Sequence, residues 1–420
     1  MSSYLFAHFA KSQLWHASTL LFGFFLTEAC GLSMAEMSLI MAASLVLNGA
    51  VDAGIGRRWR TLVVSTVDAM RRQAWGAPVT CLFFLLVCAT PLIAHDQRLG
   101  WALFMLLGFR ASYPFLDVPQ NAVVALAGFS VETRQALLAK RNIASGIAGL
   151  AVGGIAAPLL VRGEGPVAWL TWATCLAVLA CGSAWWLART CRPDETGDTP
   201  AEIAPIPSLS FGGVLAALAV MMAAGATFRT LEPYQATFAG RGMGIMVWAA
   251  TGGLASQFLW FAGRRRVSAA GMLVLAALVS TLASLGLAWP SPLGSGLAGL
   301  GFGIATGWLW LALWTAMMTH AAAGGATGYV GTFTCVSKLA QAAAMLLIGR
   351  VMARSPYRVT LVDPGSPPSL LMPLALLAIA STALALAFAV SQTGSDGKPA
   401  PPRPAGRQAR APAPRRPASS

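Results

Sequence analysis

The sequence predicts an all-α integral membrane protein with twelve transmembrane helices, arranged as two six-helix bundles. Three observations predict it. Of 420 residues, 56% are hydrophobic and only 10% are charged, with a mean hydropathy of +0.65, whereas a soluble domain carries about 25% charged residues. Twelve apolar runs each approach the roughly 20 residues that a bilayer crossing requires. A single polar, proline-rich connection, residues 189–208, splits those runs six and six.

The runs lie at 8–30, 36–56, 76–94, 99–127, 142–162 and 167–188, then 209–232, 243–262, 267–289, 294–320, 326–353 and 370–390. This gives an N-terminal bundle (1–188), a cytoplasmic linker (189–208), a C-terminal bundle (209–391) and a Pro/Ala/Arg-rich tail (392–420), disordered by composition. Two halves of this kind, each built of inverted three-helix repeats, are the plan of the major facilitator transporters. The spacings Gly149-x-x-x-Gly153 and Gly299-x-x-x-Gly303-x-x-x-Gly307 let helix backbones approach and read as packing.

Basic residues alternate from side to side. Arg57, Arg58, Arg60, Arg71 and Arg72 follow the second run, and Arg134, Lys140 and Arg141 the fourth. Arg189 and Arg192 follow the sixth, and Arg264, Arg265 and Arg266 the eighth. The other side holds Arg98, Arg162 and Arg241, with Arg354 and Arg358 in its last loop. Positive charge gathers on the cytoplasmic face of membrane proteins, so both termini are expected there, in a bacterial inner (plasma) membrane. The net charge of +14 is then a matter of loops and tail, and no nucleic-acid partner is expected. The N-terminus has no basic region followed by a small-residue cleavage site. The seven cysteines show no paired spacing and read as free thiols.

Charged residues inside the runs are the candidates for function, because ionisable groups are costly in hydrocarbon. In MAASLVLNGAVDAGIG, Asn48 and Asp52 lie four apart on one helix face. In LGFRASYPFLDVPQNAVVAL, Arg110, Pro114, Asp117 and Asn121 also share a face, and Pro114 and Pro119 should bend the helix and free carbonyls. Two acids, each with an amide one turn away, suit a small cation or a proton. Arg110, seven before Asp117, is a possible ion-pair partner for it. Of the remaining signals, Trp310 and Trp314 share a face and could line a cavity, packing or interfacial placement being the plainer reading, and His16 reads as a packing residue. Arg229 and Glu232, three apart, are either an ion pair or a gate. The four histidines, His8, His16, His95 and His320, stand far apart, and no metal site, catalytic motif or organic cofactor is expected.

The segments GLSMAEMSLIMAASLVLNGAVDAGIG (31–56), YPFLDVPQNAVVALAG (113–128) and ETRQALLAKRNIASGIAGL (132–150) resemble the glycoside–pentoside–hexuronide:cation symporters of the major facilitator superfamily. The likeness covers residues 11–160 well and the C-terminal half loosely. It implies that Asp52 is the second helix II carboxylate of a cation site, with Asn48 standing where the first would be. It implies that Asp117 is the helix IV acid and Arg141 the helix V arginine of the substrate site. By the same likeness Lys11 is a helix I lysine, and Lys338 lies near the cation site. Ser12 and Asn121 replace an aspartate and a stacking tryptophan with which these symporters read a sugar. The implied cation-coupling set is Asp52, Asn48, Asp117 and Lys338. The implied substrate set is Lys11, Asp117, Asn121 and Arg141.

The expected function is therefore a monomeric secondary transporter, not an enzyme. It would couple H⁺ or Na⁺ to symport of a small organic solute, with lipid as its only other partner. The alternative is an efflux antiporter of the same superfamily exporting a metabolite or drug. With both termini on the cytoplasmic side, a maleimide that cannot cross membranes should label Ala400→Cys, in a background lacking the seven native cysteines, only after cells are lysed. Labelling of intact spheroplasts would invert the topology.

Overall fold

The computed structural model describes residues 2–127, 131–156, 160, 165–190, 210–238, 244–263, 269–288, 292–322, 325–354, 379 and 383. The first expected run forms α1 (Ser2–Leu20), continued by Phe22–Phe24 and a π-helical turn, Phe25–Ala29. The rest of the first half is α2 (Met34–Trp59), α3 (Thr66–Cys88), α4 (Arg98–Leu126), α5 (Val131–Leu150, continued by π-helical Ala151–Ala156) and α6 (Pro166–Thr190). The second half supplies α7 (Phe211–Phe238), α8 (Gly244–Gly263), α9 (Ala269–Ala288), α10 (Pro292–Ala322) and α11 (Ala326–Ala353). The expected twelfth run, apart from residues 379 and 383, lies outside the described residues, as do the tail and all but the first two residues of the linker.

Three helices begin earlier than the apolar runs suggest: α1 at Ser2, α3 at Thr66 and α5 at Val131. Arg71, Arg72, Arg134, Lys140 and Arg141, expected in loops, are therefore helical. A hydropathy count sees only the greasy part of a helix, whereas backbone bonding carries it on to a cap. Ser65 caps α3, its Oγ accepting from the Asp68 N–H at 3.1 Å. The turn between α1 and α2 uses Gly31 at φ 73°, a left-handed conformation that suits glycine. It is followed by a capping box in which Ser33 Oγ accepts from Glu36 N (3.3 Å) and Glu36 Oε2 accepts from Ser33 N (2.8 Å).

Among the described residues, α2, α4, α6, α7, α8, α10 and α11 are long and apolar enough to cross a membrane on composition alone. A helix satisfies its own backbone groups, which hydrocarbon cannot do for it. The more polar α1 and α5 turn buried lysine, serine, arginine and asparagine side chains inward instead. In the first half α1 packs on α5 and α6, α3 on α4 and α6, and α2 on α4. In the second, α7 packs on α11, and α10 on α8 and α9. Aromatic rings fill the first half between α1, α3, α4 and α6: Phe22 on Phe84 (5.5 Å), Phe84 on Phe109 (5.5 Å) and Phe25 on Trp169 (4.5 Å).

The halves meet along two seams, α2 with α11 and α5 with α8. The α2–α11 seam is closed by glycines. A Cβ at Gly56 would stand 2.6 Å from the Thr327 carbonyl oxygen, and Gly331 lies directly on the Asp52 backbone. The Gly299-Gly303-Gly307 stripe of α10 packs against the α8 backbone at Ile245, Ala249 and Gly253, as the spacing suggests. Gly56→Ala should therefore cost about 1–3 kcal/mol by overpacking. Gly54→Ala, whose Cβ would meet nothing within 4 Å, should be neutral or gain up to about 1 kcal/mol of helix propensity. Thermal unfolding of the two purified variants side by side measures the contrast.

Candidate functional site

Pro114 has no N–H with which to close the helical bond to the Arg110 carbonyl. That carbonyl is taken instead by the Asn48 side-chain amide, which donates to it from α2. The freed group of α4 thus becomes a tie between the two helices that carry the acids. Pro119 likewise leaves the Phe115 carbonyl unbonded within α4, and Gly76 of α3 packs directly onto the Phe115 backbone. Asp52 is one turn from Asn48 and fully buried, and Asp117 is 9% exposed.

Each acid is held by a lysine from another helix. Lys11 Nζ of α1 lies 2.7 Å from Asp117 Oδ1, and Lys338 of α11 pairs with Asp52 Oδ2 across the seam between the halves. Asn121 organises the first pair: its Nδ2 donates to Asp117 Oδ1 (2.9 Å), and its Oδ1 accepts from Lys11 Nζ (3.4 Å) and Arg141 Nη1 (3.4 Å). Arg141 lies over the ring of Trp314 of α10, 3.9 Å from guanidinium carbon to ring centroid. Lys338 Nζ stands 5.3 Å from the Trp15 ring and 5.8 Å from that of Tyr113. Asp52 Oδ1 has no hydrogen-bond partner among the described residues.

The structure corrects the expected partner of Arg110. Seven helical residues separate Arg110 and Asp117 by about 10 Å along the axis, and Asp117 turns to Lys11 instead. The Arg110 guanidinium is buried against Trp15 (5.0 Å) and Phe109 (5.5 Å) and donates through Nη2 to the Ser18 carbonyl (3.3 Å). Nor do Arg229 and Glu232 pair. Glu232 Oε1 accepts from the Met246 backbone N–H at 3.2 Å, tying α7 to α8, while Arg229 turns into a cavity.

Two adjoining cavities occupy the centre. The smaller, about 100 Å³, carries most of the charged side chains, being lined by Lys11, Asp117, Asn121, Arg141 and Lys338, along with Trp310 and Trp314. The larger, about 280 Å³, is mostly apolar, with Met222, Phe228, Met246 and Phe302 in its wall beside Arg229. Trp15, Asn142, Ser145, Met222 and Trp310 line both. All four residues of the expected substrate set therefore meet in one chamber, while Asn48, Asp52 and Arg110 sit behind it. Trp310 and Trp314 line that chamber, and His16 lines the larger one with Nε2 3.1 Å from Ser145 Oγ. Asn142 Nδ2 donates to Gln257 Oε1 (3.4 Å), joining α5 to α8 across the second seam. This amide pair is absent from the sites expected from the sequence, although amides in apolar runs carry the same signal as the acids. Among the described residues, no group of three or more His, Cys, Asp or Glu could hold a metal ion.

No family model matches the chain. Among curated proteins it is 27% identical over 158 residues to YagG of Escherichia coli (strain K12), provisionally named a glycoside/cation symporter, a match covering 36% of this chain and 33% of that protein. Three solved structures share its architecture. They are a bacterial homologue of the iron transporter ferroportin in an outward-facing state (TM-score 0.63, 11% identity, 93% of this chain and 99% of that one), the E. coli fucose:proton symporter FucP (0.62, 12%, 93% and 98%) and the E. coli xylose transporter XylE, partially occluded and inward open (0.63, 10%, 95% and 99%). The chain thus has the twelve-helix, two-bundle major facilitator fold of a multi-pass membrane protein. Its equal likeness to outward-facing and inward-open neighbours reports the fold rather than a conformation.

Removing one member of a buried pair strands the other charge. Lys11→Met should destabilise the protein by about 3–5 kcal/mol, and Lys11→Met/Asp117→Leu should recover most of that loss. Thermal unfolding of both variants and the parent would show the recovery. A double variant no more stable than the single would mean that the pair does not hold α1 to α4.

Proposed function

We propose that the protein is a secondary active transporter that couples proton entry to symport of a small organic solute across the inner membrane. The observation that carries this reading is the Asp52–Lys338 pair, which joins the two halves beside the central cavities. The fold and the match to YagG support it, since both point to solute transport.

The Asp52 carboxylate is already neutralised by an ammonium, so Na⁺ there would meet a fixed positive charge beside it. The carboxylate can accept a proton at the unpartnered Asp52 Oδ1, and doing so releases Lys338. The released ammonium lies in the wall of the smaller cavity, where it can bind the solute. Proton and solute thus act together on the pair, the proton occupying Asp52 and the solute occupying Lys338. Their joint presence removes the tie between α2 and α11, the condition for one half to rock against the other. Lys11, Asp117, Asn121 and Arg141 would form the rest of the solute site, with Asp117 exchanging Lys11 for solute hydroxyl or ammonium groups. The chemistry runs equally in reverse, and the direction of flux follows the gradients.

Proteoliposomes loaded with the pH dye pyranine and challenged with a panel of glycosides and monocarboxylates test the proposal. At least one compound should acidify the lumen, equally in Na⁺ and in K⁺. Asp52→Asn should abolish that acidification and pH-driven accumulation, yet keep exchange of labelled for unlabelled solute. Accumulation that persists in Asp52→Asn, or that follows a Na⁺ gradient, would overturn proton coupling through this residue.

A further inference from the structure

The charges around the central cavities do not balance. Five buried or cavity-lining cations, Lys11, Arg110, Arg141, Arg229 and Lys338, come together with two carboxylates, Asp117 and Asp52, and both carboxylates are taken by the lysines. The next acid, Glu232, is turned to the Met246 backbone. Arg141 is compensated by Asn121 and the face of Trp314. Arg229 has no ion-pair partner among the described residues, its Nε is buried without a hydrogen-bond partner, and it lines the larger cavity. No acid among the described residues lines that cavity. The other titratable group in its wall is His16, which is engaged by Ser145.

Most of the rest of the larger cavity is apolar, its other polar side chains being His16, Thr19, Asn142, Ser145, Gln257 and Thr306. Phe228 and Phe302 stack with ring centroids 4.3 Å apart, and Met221, Met222 and Met246 also line it. Methionine thioethers adapt to apolar and aromatic shapes, and a cation left in such a wall needs an anion more than it would in water. Building on the reading of these cavities as the solute chamber, we infer that the solute is an organic anion with an apolar body. Its anionic group is held by Arg229 and its body lies among Phe228, Phe302 and the methionines. Any polar remainder reaches past Trp15 and Trp310 into the smaller cavity. Without its anion the chamber carries excess positive charge; the bound anion neutralises it, which favours loading before the halves move.

The test is binding, measured without any gradient. Isothermal titration calorimetry on the purified protein in lipid nanodiscs, with empty nanodiscs subtracted, would compare 4-phenylbutyrate with its alcohol, 4-phenylbutan-1-ol, its amine, 4-phenylbutylamine, and its truncation, butyrate. The acid should bind about tenfold or more tighter than the alcohol, as expected for a hydrogen bond to a charged group, and butyrate should bind about tenfold or more weaker than the acid. Arg229→Gln should bring acid and alcohol to within about twofold of each other, and Arg229→Lys should restore much of the preference. An alcohol or amine that binds the parent protein as tightly as the acid overturns the inference, as does a preference that survives Arg229→Gln or no saturable binding of any of the four. The parent comparison needs no variant to fold. Because nothing is transported, a failure of proton coupling at Asp52 leaves this result intact, and a failure here leaves the coupling test standing.

Discussion

A carboxylate in the middle of a bilayer protein must be paired, and the pairing dictates which helices stay together. Asp52 is answered by Lys338 and Asp117 by Lys11, so α2 is tied to α11 and α4 to α1. Neither tie is local in sequence, since the partners lie 286 and 106 residues apart. Breaking either pair strands a charge, so in the proposed transport cycle a proton or a solute group would take the lysine's place. The cavities lie where such replacements can be made.

Close packing serves the same end. The glycine contacts of the α2–α11 seam bring the two backbones together around the Asp52–Lys338 pair, with Gly331 resting on the backbone of Asp52 itself. Any shift of α11 along α2 therefore moves the lysine relative to its acid. In the second seam an amide pair, Asn142 with Gln257, takes the place of charges, and the methionines of the larger cavity lie beside it. One interface between the halves is closed by glycines around a charged pair, and the other carries a neutral amide pair.

Much of this was legible in the sequence, for physical reasons. Span number follows from hydropathy, and buried acids stand out because hydrocarbon makes them rare, so Asp52 and Asp117 could be found from the chain alone. Their partners could not be found so directly. The helical spacing that groups Arg110 with Asp117 reports a shared face but no contact, and the resemblance alone pointed to Lys11 and Lys338. Trp310 and Trp314 looked like packing residues because an indole in an apolar run has the same pattern whether it faces lipid, a neighbour or a cavity. Helix starts were read late at α1, α3 and α5, where polar side chains face inward and a hydropathy window takes them for loop. Arg141 was consequently placed by its charge at a loop and by its resemblance in the site, and it lies buried in the site.

The bond from Asn48 to the Arg110 carbonyl exists because Pro114 vacates that carbonyl. An imino acid on one helix and an amide on another are therefore a single inherited unit. A lineage that exchanged Pro114 for a residue with a backbone N–H would restore the internal ladder of α4 and leave the Asn48 donor without an acceptor in a dry interior. Selection would then favour a small apolar residue at 48, and the reverse change would be penalised for the opposite reason. Positions 48 and 114 should drift together among descendants of this chain, independently of whatever solute each of them carries.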